Sequence, residues 1–277
     1  MSILWVALFA FTVFVAPDNA LAVRVTLKRI VFEGPKRTET LTIMNQDSKA
    51  VTYRIGWRRF RMTEDSALKA VPDDAEAPDL KEAKDMIRYA PRRVTIPPGG
   101  SQQIRLMLRR PRDLPDGEYR SHIWIVPEAD VAEFNPNPEP VPDGKSAVQL
   151  AMLTGISLPV FVRNGKLTAT GKLADPVITR DGDKLKLEMV IEREGDRSLY
   201  GDMDFVCNGG GAEKVLTQIR GIAVYTEVSK RKVHFDLPYP EGGAAACPNI
   251  KVLYRSDKED TYFNGETISE INVPFKG

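Results

Sequence analysis

The chain has 277 residues, 28% of them charged and 42% hydrophobic, with 39 Lys+Arg against 38 Asp+Glu and a formal net charge of +1. That composition belongs to a folding chain and argues against long disorder. A balance so close to zero gives no global reason to expect a nucleic acid as partner. Two cysteines and two histidines exclude a disulfide-dense mini-fold and an all-cysteine zinc site, and leave little for histidine-based acid–base chemistry. The length allows one large domain or two of ordinary size, each able to bury its own core.

The chain opens on an apolar run from Ile3 to Ala16, broken only by Thr12, and then Pro17-Asp18-Asn19 and Ala20-Leu21-Ala22. A short apolar core followed by A-x-A is the pattern of a secretory signal peptide, here cleaved after about Ala22. As a helix the run would span about 21 Å, short of the roughly 30 Å hydrocarbon core of a bilayer. No basic residue precedes it, so an uncleaved anchor is the competing reading. No other stretch is long and apolar enough to cross a membrane, so the mature chain is expected to be exported, into a compartment where disulfides form.

Strand patterns begin directly after Ala22. Val23, Val25 and Leu27 alternate with Arg24, Thr26 and Lys28, and Arg29-Ile30-Val31-Phe32 leads into a turn at Glu33-Gly34-Pro35. Leu41 and Ile43, then Val51, Tyr53, Ile55 and Trp57, then Ile104, Leu106 and Leu108, each alternate with polar or basic neighbours. Period-two alternation marks strands with one face in a core and one in water. Pro97-Pro98-Gly99-Gly100, Pro115-Asp116-Gly117 and Asn208-Gly209-Gly210-Gly211 are turn signals between such runs. Many short strands at this spacing predict a β-sandwich.

Two stretches break the rhythm. Glu64 to Asp85 holds eight acidic residues against Lys69, Lys81 and Lys84 and is interrupted by Pro72 and Pro78; it reads as a solvated loop with one helical turn near Leu80 to Met86. Pro127 to Lys145 carries Pro136, Pro138, Pro140 and Pro142, which excludes it from a central strand. Ser146 to Val162 is the longest strand candidate, with Val148, Leu150, Met152, Thr154, Ile156, Leu158 and Val160 on one parity. Arg163-Asn164-Gly165-Lys166 then reads as a turn and a boundary, giving domains at 23–163 and 164–277. The second repeats the strand pattern at Leu185, Leu187, Met189 and Ile191, at Val233 and Phe235, at Ile250, Val252 and Tyr254, and at Ile268, Ile271 and Val273.

The order of motifs in the first domain resembles the periplasmic pilus (fimbrial) assembly chaperones of the chaperone–usher pathway. The resemblance is carried by Arg29-Ile30-Val31-Phe32-Glu33-Gly34, by a Thr/Leu/Ile strand ending in Asn45, and by the aromatic and basic strand through Trp57. It continues through Pro91, through Ile96-Pro97-Pro98-Gly99-Gly100-Ser101-Gln102-Gln103-Ile104-Arg105-Leu106, and through Leu114-Pro115-Asp116-Gly117-Glu118-Tyr119-Arg120-Ser121-His122. The last of these is closest to the archaic or alternative branch. The second domain matches only loosely.

The resemblance implies an all-β fold, two immunoglobulin-like β-sandwich domains in an L-shaped arrangement. It implies no catalysis and no cofactor. It implies two partners, a pilus subunit that lacks the last strand of its own sandwich and an outer-membrane usher. A sheet missing a strand exposes unpaired backbone groups and an apolar groove, and a partner strand added there pairs the backbone and fills the groove with alternate side chains. Val148, Leu150, Met152 and Ile156 sit on the parity able to do this. For Ile156, Leu158 and Val160 the core of the first domain is the competing destination. The resemblance also implies an anchor for the subunit's terminal carboxylate, at Arg29 and Arg120, with Tyr119 adding a hydroxyl. An arginine fork suits a carboxylate because it offers two charge-assisted bonds at once. Ser157 or Pro159 stands where the classical branch carries an anchoring lysine. Glu118 and Arg163 fall where the family places an ion pair between domains.

Cys207 and Cys247 both lie in the second domain and are expected to form a disulfide after export; two free thiols or a redox pair is the alternative, although they are not C-x-x-C. No metal site is expected, since the spacing of Cys207, Cys247 and His234 is wrong for known zinc modules. A serine hydrolase would need His122 or His234 as base, but Ser121 and His122 point to opposite faces of a strand, and neither G-x-S-x-G nor G-x-G-x-x-G occurs. The arginines of the first domain, among them Arg54, Arg58, Arg59, Arg61 and Arg105, read as solvated strand faces. A secreted structural or adhesive pilus component with the same two sandwiches is the alternative function.

Overall fold

The computed structural model describes residues 23–66, 68–128, 153–208 and 213–275. The signal segment and Val148, Leu150 and Met152 therefore lie outside the described residues. Among these residues no helix is long and apolar enough to cross a membrane.

The described strands before Gly165 are β1 (Val23–Val25), β2 (Ile30–Phe32), β3 (Thr38–Asn45), β4 (Val51–Met62), β5 (Leu68–Val71), β6 (Ile87–Ala90), β7 (Arg93–Ile96), β8 (Ser101–Leu108), β9 (Gly117–Pro127) and β10 (Ile156–Asn164). They make two facing sheets. One runs β1-β3-β8-β6 and the other β2-β10-β9-β4-β5, with β7 on β4. The alternating residues of both meet in one core, Leu41, Ile43, Ile104 and Leu106 from one sheet and Tyr53, Ile55, Ile123, Ile125, Leu158, Val160 and Val162 from the other. Full burial of each such aliphatic side chain stabilises by roughly 1.5–3 kcal/mol.

The stretch after Thr63 is not simply a solvated loop. Leu68–Val71 is a strand that pairs with Arg59 to Met62, and Ala83 and Met86 enter the core beside a 3-10 turn at Lys84–Met86. Arg59 is not solvated either. It is buried and donates to Glu82 at 2.6 Å and to the carbonyls of Pro72 at 2.6 Å and Ala75 at 2.9 Å. The acidic stretch folds around one guanidinium, which satisfies carbonyls that have no ladder partner. At the tip of the β4–β5 hairpin, the Glu64 carbonyl accepts from the Lys232 amide at 2.7 Å, and Ser66 Oγ donates to the Lys232 carbonyl. This hairpin thereby straps the first sandwich to the second.

The second sandwich is built from β11 (Ala169–Asp181), β12 (Lys184–Gly195), β13 (Leu199–Cys207), β14 (Lys214–Val224), β15 (Lys230–Pro238), β16 (Asn249–Ser256) and β17 (Thr267–Pro274), with a short helix α1 at Gly243–Ala246. Its sheets run β11-β12-β15 and β14-β13-β16-β17. Leu185, Leu187, Met189 and Ile191 face Phe205, Ile250, Val252 and Tyr254 across its core. Cys207 and Cys247 are joined as a disulfide in that core, their Cα atoms 5.3 Å apart. The chain is therefore all-β, two β-sandwich domains. A third, smaller cluster (Met62 and Phe161 from the first sandwich; Tyr200, Ala223 and Tyr225 from the second) seals the junction.

Candidate functional site at the junction of the sandwiches

The junction is approached from the outer face of the sheet that contains β2, β10 and β9. β10 runs antiparallel to β9 along its whole length and parallel to β2 only over Val160–Val162. Among the described residues Ile156 to Pro159 have no strand partner on the β2 side. The register sets Val31, Phe161 and Arg120 side by side. Ile30, Phe32, Val160 and Val162 face the first core, so Val31, Phe161 and Arg120 face the second sandwich. Ile156 is half-buried and packs against the first core, the destination that competed with a subunit groove.

Arg29 precedes β2, at the point where the partnered part of the β10 edge ends. Its guanidinium lies 4.1 Å above the ring of Tyr200, and its Nη2 is 3.5 Å from Asp257 and 3.7 Å from Asp260. Those separations exceed the 2.7–2.9 Å of a charge-assisted hydrogen bond. Arg120 stacks 3.7 Å above Tyr225, and its Nη2 donates to the Phe60 carbonyl at 2.9 Å and to Glu227. Both side chains are under 10% exposed, at 8% and 7%. In each the Nη1 atom is buried without an acceptor among the described residues. Two cationic stacks on neighbouring tyrosines, each with an unused donor, thus flank Phe161 on one sheet face. Burial lifts the Tyr200 hydroxyl to about 12, so it stays a neutral donor.

Tyr119 lies on the opposite parity from Arg120. Its ring packs against the first core and its hydroxyl donates to the Pro115 carbonyl at 3.0 Å, so the structure does not bring it to the two arginines. Ser157 pairs with Trp124 and is exposed, and Pro159 pairs with His122. His122 is 4% exposed and packs edge-on against Phe60, ring centroids 5.0 Å apart, and against Tyr225 at 6.3 Å. Burial, with the Arg120 charge adding to it, lowers its pKa from the ordinary 6.5 to about 3. Ser121 faces the other way, where its Oγ accepts the Ala83 and Lys84 amides at 3.0 Å each.

Glu118 and Arg163 form a buried pair, Nε to Oε2 2.9 Å. Glu118 also accepts from the amide and hydroxyl of Ser198 in the second sandwich. Arg163 Nη1 reaches Glu33 at 3.2 Å; Glu33 in turn accepts from Arg197 Nη1 at 2.6 Å and from Thr261 at 2.7 Å, and Arg197 Nη2 donates to Asp260 at 3.0 Å. Burial pushes the Glu33 carboxyl up, but Thr261, Arg197 and the Arg163 charge outweigh it and hold it below its usual range. The same balance holds for Asp260, where burial is outweighed by the Phe263 and Tyr262 amides and by Arg197 and Arg163. Burial likewise opposes the charge on Arg163, and Glu118, Glu33 and Asp260 overcome it. Sequence reasoning reached Glu118 and Arg163 and missed Glu33, Ser198, Arg197, Glu227 and Asp260. Their partners lie far away in the chain, so no local pattern announces them.

No family model matches the chain, and no curated protein matches it. Solved structures similar to it include chaperones, among them a fimbrial one and one from archaic chaperone-usher pili. A chain of the CsuC–CsuE chaperone–tip adhesion subunit pre-assembly complex from archaic Csu pili of Acinetobacter baumannii matches with 10% identity and a TM-score of 0.46, over 90% of this chain and 97% of that one. The Pseudomonas aeruginosa CupB2 chaperone matches at 11% and 0.41, over 91% and 100%. The E. coli chaperone DraB matches at 16% and 0.39, over 92% and 96%. Identities and superpositions this low leave the functional reading to the chain's own residues.

Proposed function

We propose that the chain is a periplasmic assembly chaperone, exported by a signal peptide cleaved after about Ala22, that caps pilus subunits by donor-strand complementation and hands them to an outer-membrane usher. It does so without catalysis, cofactor or metal. The observation that supports this reading is the coincidence of two features at one place. The edge of β10 is unpartnered over Ile156 to Pro159 among the described residues; Arg29 stands where that edge ends and Arg120 lies across β10, on β9 opposite Phe161, each with an Nη1 that has no acceptor among the described residues. A subunit strand running along the edge would end its backbone ladder at Arg29, with Arg120 one strand further in as the second guanidinium for its terminal carboxylate. Val148, Leu150 and Met152 would fill the subunit's groove, while Ile156 packs against the first core. Glu118 and Arg163 would keep the domains at 23–163 and 164–277 in fixed register, the use best attested for buried ion pairs.

The test is co-expression of the whole chain with the pilus subunit of its own secretion operon, followed by purification of the complex. A one-to-one complex is expected. Arg29→Ala and Arg120→Ala are each expected to abolish it while the far-UV circular dichroism of the free chain stays unchanged. Retention of the complex by both well-folded variants would remove the carboxylate anchor. Incorporation of the chain itself into assembled pili would favour a structural component instead.

A further inference from the structure

Arg120 is not an empty socket. Its Nη2 carries two hydrogens and both are used, one by the Phe60 carbonyl and one by Glu227 Oε1. Its Nη1 is used by nothing among the described residues. A carboxylate that grips an arginine with both oxygens needs hydrogens from two nitrogens, so a fork across Nη1 and Nη2 requires that Nη2 give up one acceptor. The Phe60 carbonyl belongs to the backbone of β4 and cannot leave without breaking the strand. Glu227 is a side chain and can.

Glu227 comes from the turn between β14 and β15. Its own backbone neighbourhood is fixed independently of its carboxylate: Arg193 donates to the Thr226 carbonyl at 3.2 Å and to the Val228 carbonyl at 3.1 Å, and the Val228 amide donates to Tyr225 O at 3.2 Å. Rotation of the carboxylate away from Arg120 therefore costs the turn nothing. It does release the Met62 amide, which donates to Glu227 Oε1 at 3.1 Å. Glu227 is 5% exposed on its side chain, and the ring of Tyr225 covers the guanidinium, so no outside anion reaches Arg120 while the carboxylate is in place. A second carboxylate bound to Nη1 alone would sit within a few ångströms of the first, and like charges at that distance disfavour each other.

We propose that Glu227 holds the subunit's place on Arg120 in the free chain and is exchanged for the subunit's terminal carboxylate on binding. The inference rests on the chaperone reading above and adds to it an internal competitor supplied by the second domain. The exchange keeps a buried guanidinium compensated when no subunit is present, and it makes binding sensitive to the free carboxylate of the incoming chain. An intramolecular competitor lowers apparent affinity by the fraction of time it leaves the site free.

The experiment measures the affinity of the whole mature chain for the purified pilus subunit, with its natural C-terminus and with the terminus amidated. Glu227→Gln keeps an oxygen for the Met62 amide and removes the charge; it is expected to bind the natural subunit about tenfold more tightly than the parent chain, and the amidated subunit no better. Glu227→Asp, which withdraws the carboxylate by one methylene, is expected to fall between the two and serves if Glu227→Gln melts early. Unchanged or weaker binding of the natural subunit by the variants, in a chain whose Arg120→Ala form fails to bind, would overturn the exchange and leave the chaperone reading intact. No binding by the parent chain would overturn the chaperone reading itself.

Discussion

His122 gives the junction a measurable dependence on pH. The imidazole is enclosed by Phe60 and Tyr225, next to the Arg120 charge, and burial lowers its pKa from 6.5 to about 3. In the unfolded chain it titrates near its ordinary value, so between the two values the unfolded state holds a proton that the folded state does not. Stability is then flat above about pH 6.5 and falls as the pH drops below it. From pH 7.5 to pH 5 the relevant span is about 1.5 pH units, which at 1.36 kcal/mol per unit gives a loss of about 2 kcal/mol. For a chain of this size that is a fall in melting temperature of roughly 4–8 °C. Glu33 and Asp260 do not confuse the window, because their pKa values are lowered from 4.5 and 3.8 and their contribution is lost at lower pH still. His234 is exposed on β15 and lacks such an enclosure. The assay is urea unfolding of the parent chain and of His122→Phe at pH 7.5, 6.5, 5.5 and 5.0. Phenylalanine keeps the edge-on ring contacts and cannot be protonated. The parent should lose about 2 kcal/mol over the series and the variant should lose little. An equal loss in both would show that His122 is not held neutral by its surroundings, and the packing account of this face would fail with it.

Arg197→Met should destabilise by about 3–5 kcal/mol in urea unfolding, because it strips from a buried cluster the one cation bonded to both Glu33 and Asp260; a loss under about 1 kcal/mol would show that the cluster is not coupled in this way. Reduction of the Cys207–Cys247 bond, or replacement of both residues by serine, should lower stability by at most about 4 kcal/mol, the chain-entropy limit for a separation of 40 residues. The loss should appear as early melting of the second sandwich in hydrogen exchange, with β3 and β8 of the first still protected. Gly201→Ala should abolish soluble expression, since a Cβ there would lie 1.9 Å from the Arg255 carbonyl oxygen; a soluble variant with unchanged melting would show that β13 and β16 are not so close.

The strands that could be read from the sequence are those with one dry face and one wet one. β3, β8, β15 and β12 up to Glu194 alternate in burial, and their apolar parity appears in the residues directly. β13 was not legible because Leu199 to Gly201 and Phe205 to Cys207 are buried in succession, with Tyr200 turned from the second core to the junction, which erases period two. β5 escaped because its residues are mostly exposed and it owes its existence to pairing with β4. The site was legible only in part. Arg29, Arg120, Glu118 and Arg163 came from motif order. Tyr119 came with them, and the strand's own parity places it on the other face. The acids that face these arginines pair across 107 residues for Arg120 and Glu227, 130 for Arg163 and Glu33, and 164 for Arg197 and Glu33. A charge in one loop carries no mark of a partner that topology alone brings near.

The arginines of the junction divide into two kinds by how fully their donors are used. Arg163 and Arg197 bind carboxylates through bonds of 2.6 to 3.2 Å; Arg197 keeps a buried Nε without an acceptor, yet both its terminal nitrogens are engaged. Arg29 has only the longer approaches to Asp257 and Asp260, and Arg120 concentrates its bonds on one nitrogen. A buried donor left unused costs about 1–3 kcal/mol, and Arg29 and Arg120 each keep a terminal one at the junction. On the proposed reading an acceptor arrives later. It removes that cost on binding, so the affinity it gains comes from groups the fold already holds in place. Short bonds then join the sandwiches, and on the proposed reading the under-used pair remains for the subunit's carboxylate. By the same reasoning, a substitution that saturates Arg29 or Arg120 from within the chain should stabilise the free protein and weaken its complex.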